Sequence, residues 1–371
     1  MNASFNMPTR VFAGRDAVLQ NKEYLGIGDH ALIVTGKNSA RLSGALDDVT
    51  AALDALGIAY TVFDGVTENP PLLLCHQAGE LAAQVGADFV IGIGGGSPLD
   101  AAKAIAAFAA NPDIAPDDVY DPEKRVYGSL PILAIPTTAG TGSEVNPYAV
   151  LTLPDGEHKK TFTCDDSWPI FAFVDPKYTD SLPYGTTMST ALDAFAHAME
   201  SYLSPKSTPF SEAAALFAAE HIWDVLSQYP DAFTAEMRDR LSAASTAAGM
   251  AISVTGTGFP HPLGYSITLL DGIPHGRACA AFAEDYITYN EKDPVGKERI
   301  ARFAAACGTT PKVMKTYLPA LAEVDLRFTD GEIERRVALV ENAKNYANSP
   351  YVLNPDEMRS IYKRLFAEKR R

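Results

Sequence analysis

An aspartate and three histidines have the types and spacing of a metal site. Asp193 and His197 are four residues apart in an apolar, helix-like segment, so they share one face of the helix. The alternative is an exposed Asp–His pair, but a buried carboxylate needs a partner. His261 and His275 stand among apolar residues and glycines; one such histidine is usually a core residue, whereas two beside an Asp–His pair favour a site. One carboxylate and three imidazoles suit Fe²⁺ or Zn²⁺ with positions open to a substrate.

A glycine-rich loop has the composition of an anion-binding turn. It consists of Gly94, Gly95, Gly96 and Ser97, between a strand-like run and a helix-like run. Glycines let the backbone approach a ligand, and a helix N-terminus attracts a phosphate. We predict Ser97 as the N-cap and Pro98 as the first helical residue, with Asp100 orienting the loop or meeting a ribose hydroxyl. The alternative is a tight turn that binds nothing.

A second loop, rich in small and hydroxyl-bearing residues, follows another strand from Pro136 to Glu144. Its candidate contacts to phosphate and ribose oxygens are Thr137, Thr138, Thr141 and Ser143. Either loop alone is weak evidence, because such loops are common in strand–helix connections. Two of them in one domain favour nucleotide binding over two plain turns.

These residues need a framework, and the order of the elements along the chain supplies one. Strand-like segments occur at residues 31–35, 60–63, 89–93 and 131–135, and helix-like segments alternate with them at 46–56, 75–85 and 101–110. Such alternation predicts an α/β domain with a mostly parallel sheet and helices on both faces.

The strand-like patterns end after about residue 181. Helix-period segments follow at residues 187–203, 211–226, 238–252, 275–289, 295–306 and 330–346. We therefore predict a dinucleotide-binding α/β domain over residues 1–181 and an all-α, metal-binding domain over residues 182–371. The active site is expected in the cleft between the two domains.

Composition and charge exclude several classes of protein. The 371 residues are 47% hydrophobic and 21% charged, as in a globular protein of two domains. A net charge of −15 disfavours nucleic acid and membrane surfaces as partners. The four cysteines are far apart, which indicates reduced thiols rather than disulfides or a cysteine-ligated zinc site. With no signal-like stretch in the first ten residues and no bilayer-length apolar run, we expect a soluble, cytoplasmic protein.

Taken together, these motifs closely resemble the iron-containing (group III) alcohol dehydrogenase family. The resemblance covers nearly the whole chain and rests on residues 94–100, 136–144 and 193–200 and on the two later histidine segments. It implies an N-terminal dinucleotide-binding domain, a helical C-terminal domain and a divalent metal between them. Asp193, His197, His261 and His275 match the four metal ligands. Fe²⁺ is then the first expectation and Zn²⁺ the second, with a small alcohol or aldehyde as substrate and a homodimer as the assembly.

The chain departs from the family pattern at one position. Many members have a further histidine, linked to proton transfer, four residues after the third ligand, where this chain has Tyr265. An alternative alignment matches His261 to that further histidine, but the fourteen-residue spacing between His261 and His275 favours the ligand assignment. Solvent, a ribose hydroxyl and Tyr265 are the remaining candidates for the proton route.

The loop after the first predicted strand bears on the choice of cofactor. It consists of Gly36, Lys37, Asn38 and Ser39, with Arg41 close behind and no carboxylate. NAD sites often place an acidic side chain here for the ribose 2′-hydroxyl, whereas NADP sites need room and positive charge. Family members with glycine at this position tend to accept NADP, so we expect NADP(H) over NAD(H). The alternative is that Lys37 and Arg41 are solvated surface cations.

The predicted chemistry is hydride transfer between nicotinamide and a small primary alcohol, diol or aldehyde, with the metal as Lewis acid. Residues 94–97 would hold the pyrophosphate, and the threonines of the second loop would hold the nicotinamide side. Phe259, Leu263 and Tyr265 are candidates for the substrate side. A dehydroquinate-synthase-like or glycerol-phosphate-dehydrogenase-like enzyme is the first alternative, but the region offers chiefly Arg277 for a phosphorylated substrate. A catalytically silent nucleotide-binding protein is the second, and it would show loss of a ligand.

Overall fold

A computed structural model describes residues 4–367 of the chain. Its strands are β1 (Arg10–Ala13), β2 (His30–Gly36), β3 (Ala59–Val66), β4 (Phe89–Gly94), β5 (Ile132–Pro136), β6 (Ala149–Thr152), β7 (Lys159–Phe162) and β8 (Phe171–Val174). Six of them form one parallel sheet in the order β1-β8-β5-β4-β2-β3, and β6 and β7 form a separate antiparallel hairpin.

Helices cover the sheet and then make up the rest of the described chain. The helices of the first half are α1 (Ala17–Gln20), α2 (Ser39–Leu42), α3 (Ala45–Leu56), α4 (Leu72–Gln84) and α5 (Gly96–Ala110). Those of the second half are α6 (Tyr184–Leu203), α7 (Pro209–Leu226), α8 (Ala235–Thr255), α9 (Pro260–Asp271), α10 (His275–Ala281), α11 (Ala283–Asn290), α12 (Pro294–Ala306), α13 (Pro311–Ala322), α14 (Asp330–Val340) and α15 (Pro355–Phe366). The predicted fold class, an α/β half with a parallel sheet followed by an all-α half, is confirmed.

The central strands are buried on both faces, which explains their unbroken apolar sequences. Along β2, Leu32 and Val34 pack with α4 and α5 on one face, while Ala31 and Ile33 pack with α1 and α3 on the other. This alternation follows from the two-residue period of a strand. The helical half has a core of its own, built largely from α6, α7, α8 and α10.

The order of the strands reverses beside β2. The chain passes from β2 to β3 on one side and then returns to place β4 on the other side of β2. Parallel sheets open a crevice for ligands at the carboxyl ends of the strands where the order reverses in this way. Both predicted loops at residues 36–39 and 94–97 begin at this crevice, because they follow β2 and β4.

Several predicted boundaries were wrong, each for a physical reason. The predicted helix 275–289 is two helices, α10 and α11, which meet at Phe282. The predicted helix 330–346 ends at Val340, and a short 3₁₀ turn follows. The prediction missed α9 because Pro260 and Pro262 suggest a loop; both lie in its first turn, where a missing N–H costs nothing. The four-residue strands β1 and β8 are too short to show a periodic pattern. The helices α13 and α15 were also missed.

In the described part of the chain, no helix combines the length and apolar character that crossing a bilayer requires.

Candidate metal and nucleotide site

Helix α6 carries the first two predicted ligands. It is 20 residues long and is buried almost throughout its second half, so the side chains of Asp193 and His197 are about 5% and 7% exposed. One helical turn separates them, and Nε2 of His197 lies 3.8 Å from Oδ1 of Asp193. The apolar residues that bury α6 therefore also remove this carboxylate from water.

The other two histidines arrive on neighbouring helices. His261 lies in the first turn of α9 and His275 begins α10, and their Nε2 atoms lie 3.6 Å and 4.0 Å from Oδ1 of Asp193. Helix α10 can approach α6 because its second residue is Gly276. A Cβ at Gly276 would lie 1.8 Å from the carbonyl oxygen of Ser189, so no side chain fits there.

The arrangement fits a divalent metal ion. The three imidazole Nε2 atoms surround one carboxylate oxygen, and Asp193 Oδ1 and His261 Nε2 are buried without a hydrogen-bond partner among residues 4–367. Metal bonds of about 2.0–2.2 Å place two ligands of one ion roughly 3–4 Å apart, as these atoms are. Buried polar atoms left unpaired are costly, and an ion would satisfy all of them. The structure thus brings together all four predicted ligands.

Glu200 supports the site, although its type and position in the sequence alone indicated no role. It is fully buried on α6, and Nδ1–H of His261 donates to its carboxylate at 2.8 Å. This contact fixes the tautomer that leaves Nε2 of His261 free for a metal. Its signal in the sequence was its position seven residues, or two helical turns, after Asp193.

The electrostatics favour the metal-binding protonation state at three of the four ligands, Asp193, His197 and His275, and burial lowers the pKa of His197. Burial raises the pKa of Asp193, but the three histidines outweigh it and hold that pKa well below its usual range. Burial lowers the pKa of His275 to about 3, so this imidazole is neutral. Burial also lowers the pKa of His261, but Glu200 and Asp193 outweigh it and raise that pKa to about 10. An ion must therefore displace a proton from His261.

Tyr265 lies at the rim of the site. Its ring stacks on that of His275, with centroids 5.3 Å apart and planes 21° apart, and desolvation raises the pKa of its hydroxyl. Nζ of Lys159, on β7, lies 4.9 Å from the centre of the Tyr265 ring, and burial lowers the pKa of this amine to about 8. Lys159 was not predicted, because nothing in its own segment links the hairpin to the histidines.

The two predicted phosphate loops meet at the carboxyl edge of the sheet. β4 and β5 are neighbours with Gly94 beside Pro136, and the Thr137 N–H donates to the Gly94 carbonyl at 2.8 Å. Gly95 lies against Thr138, and a Cβ on Gly96 would lie 2.6 Å from Cγ2 of Thr141. The two loops are therefore in contact and form one continuous surface, whereas two unrelated turns would lie apart.

Helix α5 begins at Gly96, so the predicted cap was wrong. Its N-cap is Gly95, whose extended backbone carries no side chain to bond the first turn. Those N–H groups are left for a ligand, as anion binding requires. Ser97 instead lies in the first turn, where its Oγ accepts from Asn69 N–H at 3.1 Å. Pro98 is accommodated in the same turn.

Asp100 and Ser143 face inward and bond to each other. The Asp100 carboxylate accepts from Ser143 Oγ at 2.6 Å and from Val150 N–H at 2.8 Å. The ammonium of Lys103, which is fully buried, donates to the same serine at 2.6 Å, and burial lowers the pKa of this amine to about 8. Of the two roles considered for Asp100, these contacts are those of a residue that orients the loop.

The loop after β2 is exposed at the same edge. Lys37 and Asn38 are exposed, Ser39 is half-buried, and Gly36 ends the strand. Arg41 is exposed on α2, and within the described residues neither Lys37 nor Arg41 forms an ion pair. Two free cations therefore flank the crevice where the strand order reverses.

Sequence comparison decides the family. Residues 8–176 match the model of the family described as iron-containing alcohol dehydrogenase, and residues 187–366 match that of its C-terminal domain. The chain belongs to the iron-containing alcohol dehydrogenase family. It is an NAD(P)-dependent oxidoreductase of alcohols or aldehydes, and its family implies a divalent metal.

Relatives of this dehydrogenase cover nearly its whole length. The NADPH-dependent butanol dehydrogenase of Clostridium saccharobutylicum is 30% identical, over 96% of each chain. An iron-containing alcohol dehydrogenase of Thermotoga maritima has a similar structure, with a TM-score of 0.91, 38% identity and coverage of 98% of this chain and 99% of that one. The sulfoacetaldehyde reductase of Bifidobacterium kashiwanohense, solved with NAD⁺, has a TM-score of 0.86 and 28% identity, over 98% and 99% of the two chains.

The remaining residues considered in the sequence are buried or make contacts of their own. Phe259 and Leu263, expected near the substrate, are wholly buried in the helical core, so that expectation was wrong. Arg277 donates to Glu323 at 2.6 Å, which engages the cation that the sequence offered for a phosphorylated substrate. Lys159, beside Tyr265, is a second cation near the site. The other four histidines make hydrogen bonds of their own: His30 with Thr61, His76 with the Ile114 carbonyl, His158 with Asp155, and His221 with the Phe217 carbonyl.

Proposed function

We propose that this enzyme transfers a hydride between NADP(H) and a small primary alcohol or diol, or the matching aldehyde, at a divalent ion held by Asp193, His197, His261 and His275. One observation carries the proposal: three imidazole Nε2 atoms lie within 4.0 Å of a buried carboxylate oxygen that has no hydrogen-bond partner in the described chain. The family supports a divalent metal, and we propose Fe²⁺ first and Zn²⁺ second.

The ligands leave one side of the site open to a substrate. The side chain of His275 is 29% exposed, whereas those of Asp193 and His261 are 5% and 3% exposed. Substrate therefore enters beside His275 and Tyr265, and the α6 side excludes water. A bound divalent ion supplies Lewis acidity that stabilises negative charge on the substrate oxygen.

The chain's own groups hold and orient the protons. The Glu200 carboxylate accepts from Nδ1–H of His261 and so leaves Nε2, beside Asp193, as the nitrogen that would bind the ion. Tyr265 retains its hydroxyl proton because desolvation raises its pKa, so it is a hydrogen-bond donor beside His275. We propose Tyr265 as the group that passes a proton between the substrate oxygen and water, with solvent and a ribose hydroxyl as alternatives.

We propose that the two loops at residues 94–97 and 136–144 together bind the cofactor. The free first-turn N–H groups of α5 and the backbone of residues 94–97 suit the pyrophosphate. The loop that carries Thr137, Thr138 and Thr141 reaches α6, since a Cβ on Gly140 would lie 2.6 Å from Cβ of Thr190, and this suits the nicotinamide half. Thr137 Oγ1 is buried with no partner in the described residues. Asp100 and Ser143 orient this loop from behind.

The proposed preference for NADP(H) rests on charge. Lys37 and Arg41 are free cations beside the crevice, and residues 36–39 contain no carboxylate to accept a ribose 2′-hydroxyl. Asn38 and Ser39 offer further donors to a 2′-phosphate. The butanol dehydrogenase relative is named as NADPH-dependent, which agrees with this assignment, whereas the sulfoacetaldehyde reductase was solved with NAD⁺.

Three further assignments are part of the proposal. We propose the division into domains at residues 1–181 and 182–371, a homodimer, and a cytoplasmic location. All four cysteines are free, which suits a reducing compartment. The net charge of −15 favours small molecules over nucleic acid or membrane as partners.

The test is a panel of short primary alcohols, diols and aldehydes, assayed with NADP⁺ or NADPH and with NAD⁺ or NADH on metal-depleted enzyme reloaded with Fe²⁺ or Zn²⁺. We expect activity only after reloading, and higher kcat/KM with the phosphorylated cofactor. His261→Ala should lose both metal and activity, whereas His221→Ala on α7 should keep both. Full metal content and full activity in His261→Ala would refute the site.

A further inference from the structure

We propose that Asn348 positions the carboxylate of Glu200, and through it the ring of His261, by way of one peptide group. That group joins Thr257 to Gly258 in the loop between α8 and α9, and Asn348 ends the 3₁₀ turn that follows α14. The proposal rests on the metal site of the proposed function. It goes beyond the ligands, because it assigns a positioning residue in a segment that supplies none of them.

The peptide group is hydrogen-bonded at both ends. Asn348 Nδ2 donates to the Thr257 carbonyl at 3.0 Å, and the Gly258 N–H donates to Oε2 of Glu200 at 2.5 Å. No peptide bond among the described residues is cis, so the C=O and N–H of this planar unit point in opposite directions. Fixing the carbonyl therefore fixes the direction of the N–H, and each hydrogen bond polarises the peptide in favour of the other.

The Glu200 carboxylate depends on this N–H. Glu200 is fully buried, and within the described chain its side chain accepts from the Gly258 N–H and from Nδ1–H of His261, the latter at 2.8 Å. A buried carboxylate that loses a donor is costly, because no water takes the place of that donor. If the N–H pointed elsewhere, the carboxylate would be free to turn away from His261.

The loop needs this external support. Glycines stand on both sides of Thr257, and Gly256 has a φ of +68°, in the left-handed region; glycine loses more conformational freedom than any other residue when it is ordered. Asn345, in the same 3₁₀ turn, donates from Nδ2 to Oγ1 of Thr257 at 2.7 Å. The turn therefore holds Thr257 by two hydrogen bonds, and Asn348, which is 7% exposed, makes the one on the peptide itself.

The experiment is NMR on the full-length, zinc-loaded enzyme with ¹⁵N-labelled histidine. A histidine bound to zinc through Nε2 keeps its Nδ1–H, and a hydrogen bond to a carboxylate shifts that proton signal downfield. We expect such a signal from His261, identified because Glu200→Gln moves it. In Asn348→Ala the signal should move upfield and exchange faster with water, and in Asn345→Ala it should change in the same direction but less.

Zinc affinity, measured by competition with a chelator, is the second readout. Loss of a group that directly supports a ligand costs about 10–100-fold, and Asn348 acts one step further away, so we expect a fall of roughly three- to tenfold in Asn348→Ala. The control is Asn111→Ala in the α/β half. Asn111 is 4% exposed and donates to the Gly128 carbonyl at 3.1 Å, so this variant should lose stability but keep the signal and the affinity.

The outcomes separate this proposal from the one beneath it. An unchanged signal in folded Asn348→Ala would overturn the positioning role, even if affinity fell, because the loop would then act only by displacing α9. An equal change in Asn111→Ala would also overturn it, as a general effect of lost stability. If Asn348→Ala does not fold, Asn345→Ala decides, since its side chain is only half-buried. A wild type that binds no zinc would overturn both proposals.

Discussion

The carboxylate of Glu200 lies 2.8 Å from Nδ1 of His261, and the opposite nitrogen of that ring faces Asp193. A negative charge behind a ligand raises its basicity and fixes its orientation. Glu200→Gln removes the charge while keeping the shape, so we expect metal affinity to fall about 10–100-fold. Competition with a chelator measures this. The control is Glu236→Gln on α8, an exposed carboxylate that should change nothing; equal affinity in both variants would contradict the role of Glu200.

Metal binding should depend on pH through His261. Without an ion, Glu200 and Asp193 outweigh the effect of burial and raise the pKa of His261 to about 10, so the ring is protonated below that pH. The ion displaces this proton, and apparent affinity therefore rises with pH. Because binding of the ion releases at least one proton, we expect the apparent metal affinity to rise at least about tenfold for each unit of increasing pH through the neutral range. Titrations with Zn²⁺ at several pH values check this, and a flat profile would show that His261 is already neutral.

Removal of the free cations at the crevice should change cofactor preference. In the double variant Lys37→Ser, Arg41→Ser, the 2′-phosphate loses two charged partners, each worth about 1.5–3 kcal/mol when well formed. Because both side chains are exposed, we expect only about a tenfold rise in KM for NADP⁺ and little change for NAD⁺. Steady-state kinetics with both cofactors measure the shift. Arg302→Ser, another exposed cation, is the control; equal effects on both cofactors would count against 2′-phosphate recognition.

The close approach of α10 to α6 should not tolerate a methyl group. In Gly276→Ala the new Cβ would meet the Ser189 carbonyl at 1.8 Å, so α10 must move and carry His275 away from Asp193. Overpacking of this kind costs about 1–3 kcal/mol of unfolding free energy, and metal content should fall with it. Thermal unfolding and metal analysis check both effects. Gly331→Ala on α14, where nothing lies within 4 Å, should be neutral or stabilising.

Tyr265→Phe tests the proton route. The ring that stacks on His275 remains and only the hydroxyl is lost, so metal content should be unchanged. Positioned proton transfer contributes about 10²–10⁴-fold to a rate, and we expect kcat to fall at least about tenfold because water can partly replace the hydroxyl. The pH dependence of kcat should change as well. An unaltered kcat would assign the proton to solvent or to the ribose.

Residue spacing was enough to predict which four side chains meet at the proposed metal site, but not the groups around them. Asp193 and His197 stand out because a polar pair one turn apart is rare in an apolar helix. Cys279 contacts the His275 ring from one helical turn later on α10, yet cysteines were considered only as pairs with one another. Lys159 reaches the site from a hairpin, and only the tertiary fold brings that hairpin to Tyr265.

The fold shows the same division between local and long-range information. The inner strands β2, β4 and β5 were predictable because burial on both faces requires unbroken apolar runs. The pairing of β1 with β8 joins segments far apart in the chain, and four residues give no period to detect. The break between α10 and α11 was missed for a related reason: apolar residues continue through Phe282, and only the backbone direction changes.

The ligands of the proposed ion come from α6, α9 and α10, so a bound ion would cross-link three segments that are distant in sequence. Binding to the folded state alone adds about 2.7 kcal/mol of stability when free metal is at 100 times its Kd. The melting temperature of the helical half should therefore follow the free metal concentration. In a cell, metal scarcity would then lower the amount of folded enzyme as well as the activity of each molecule.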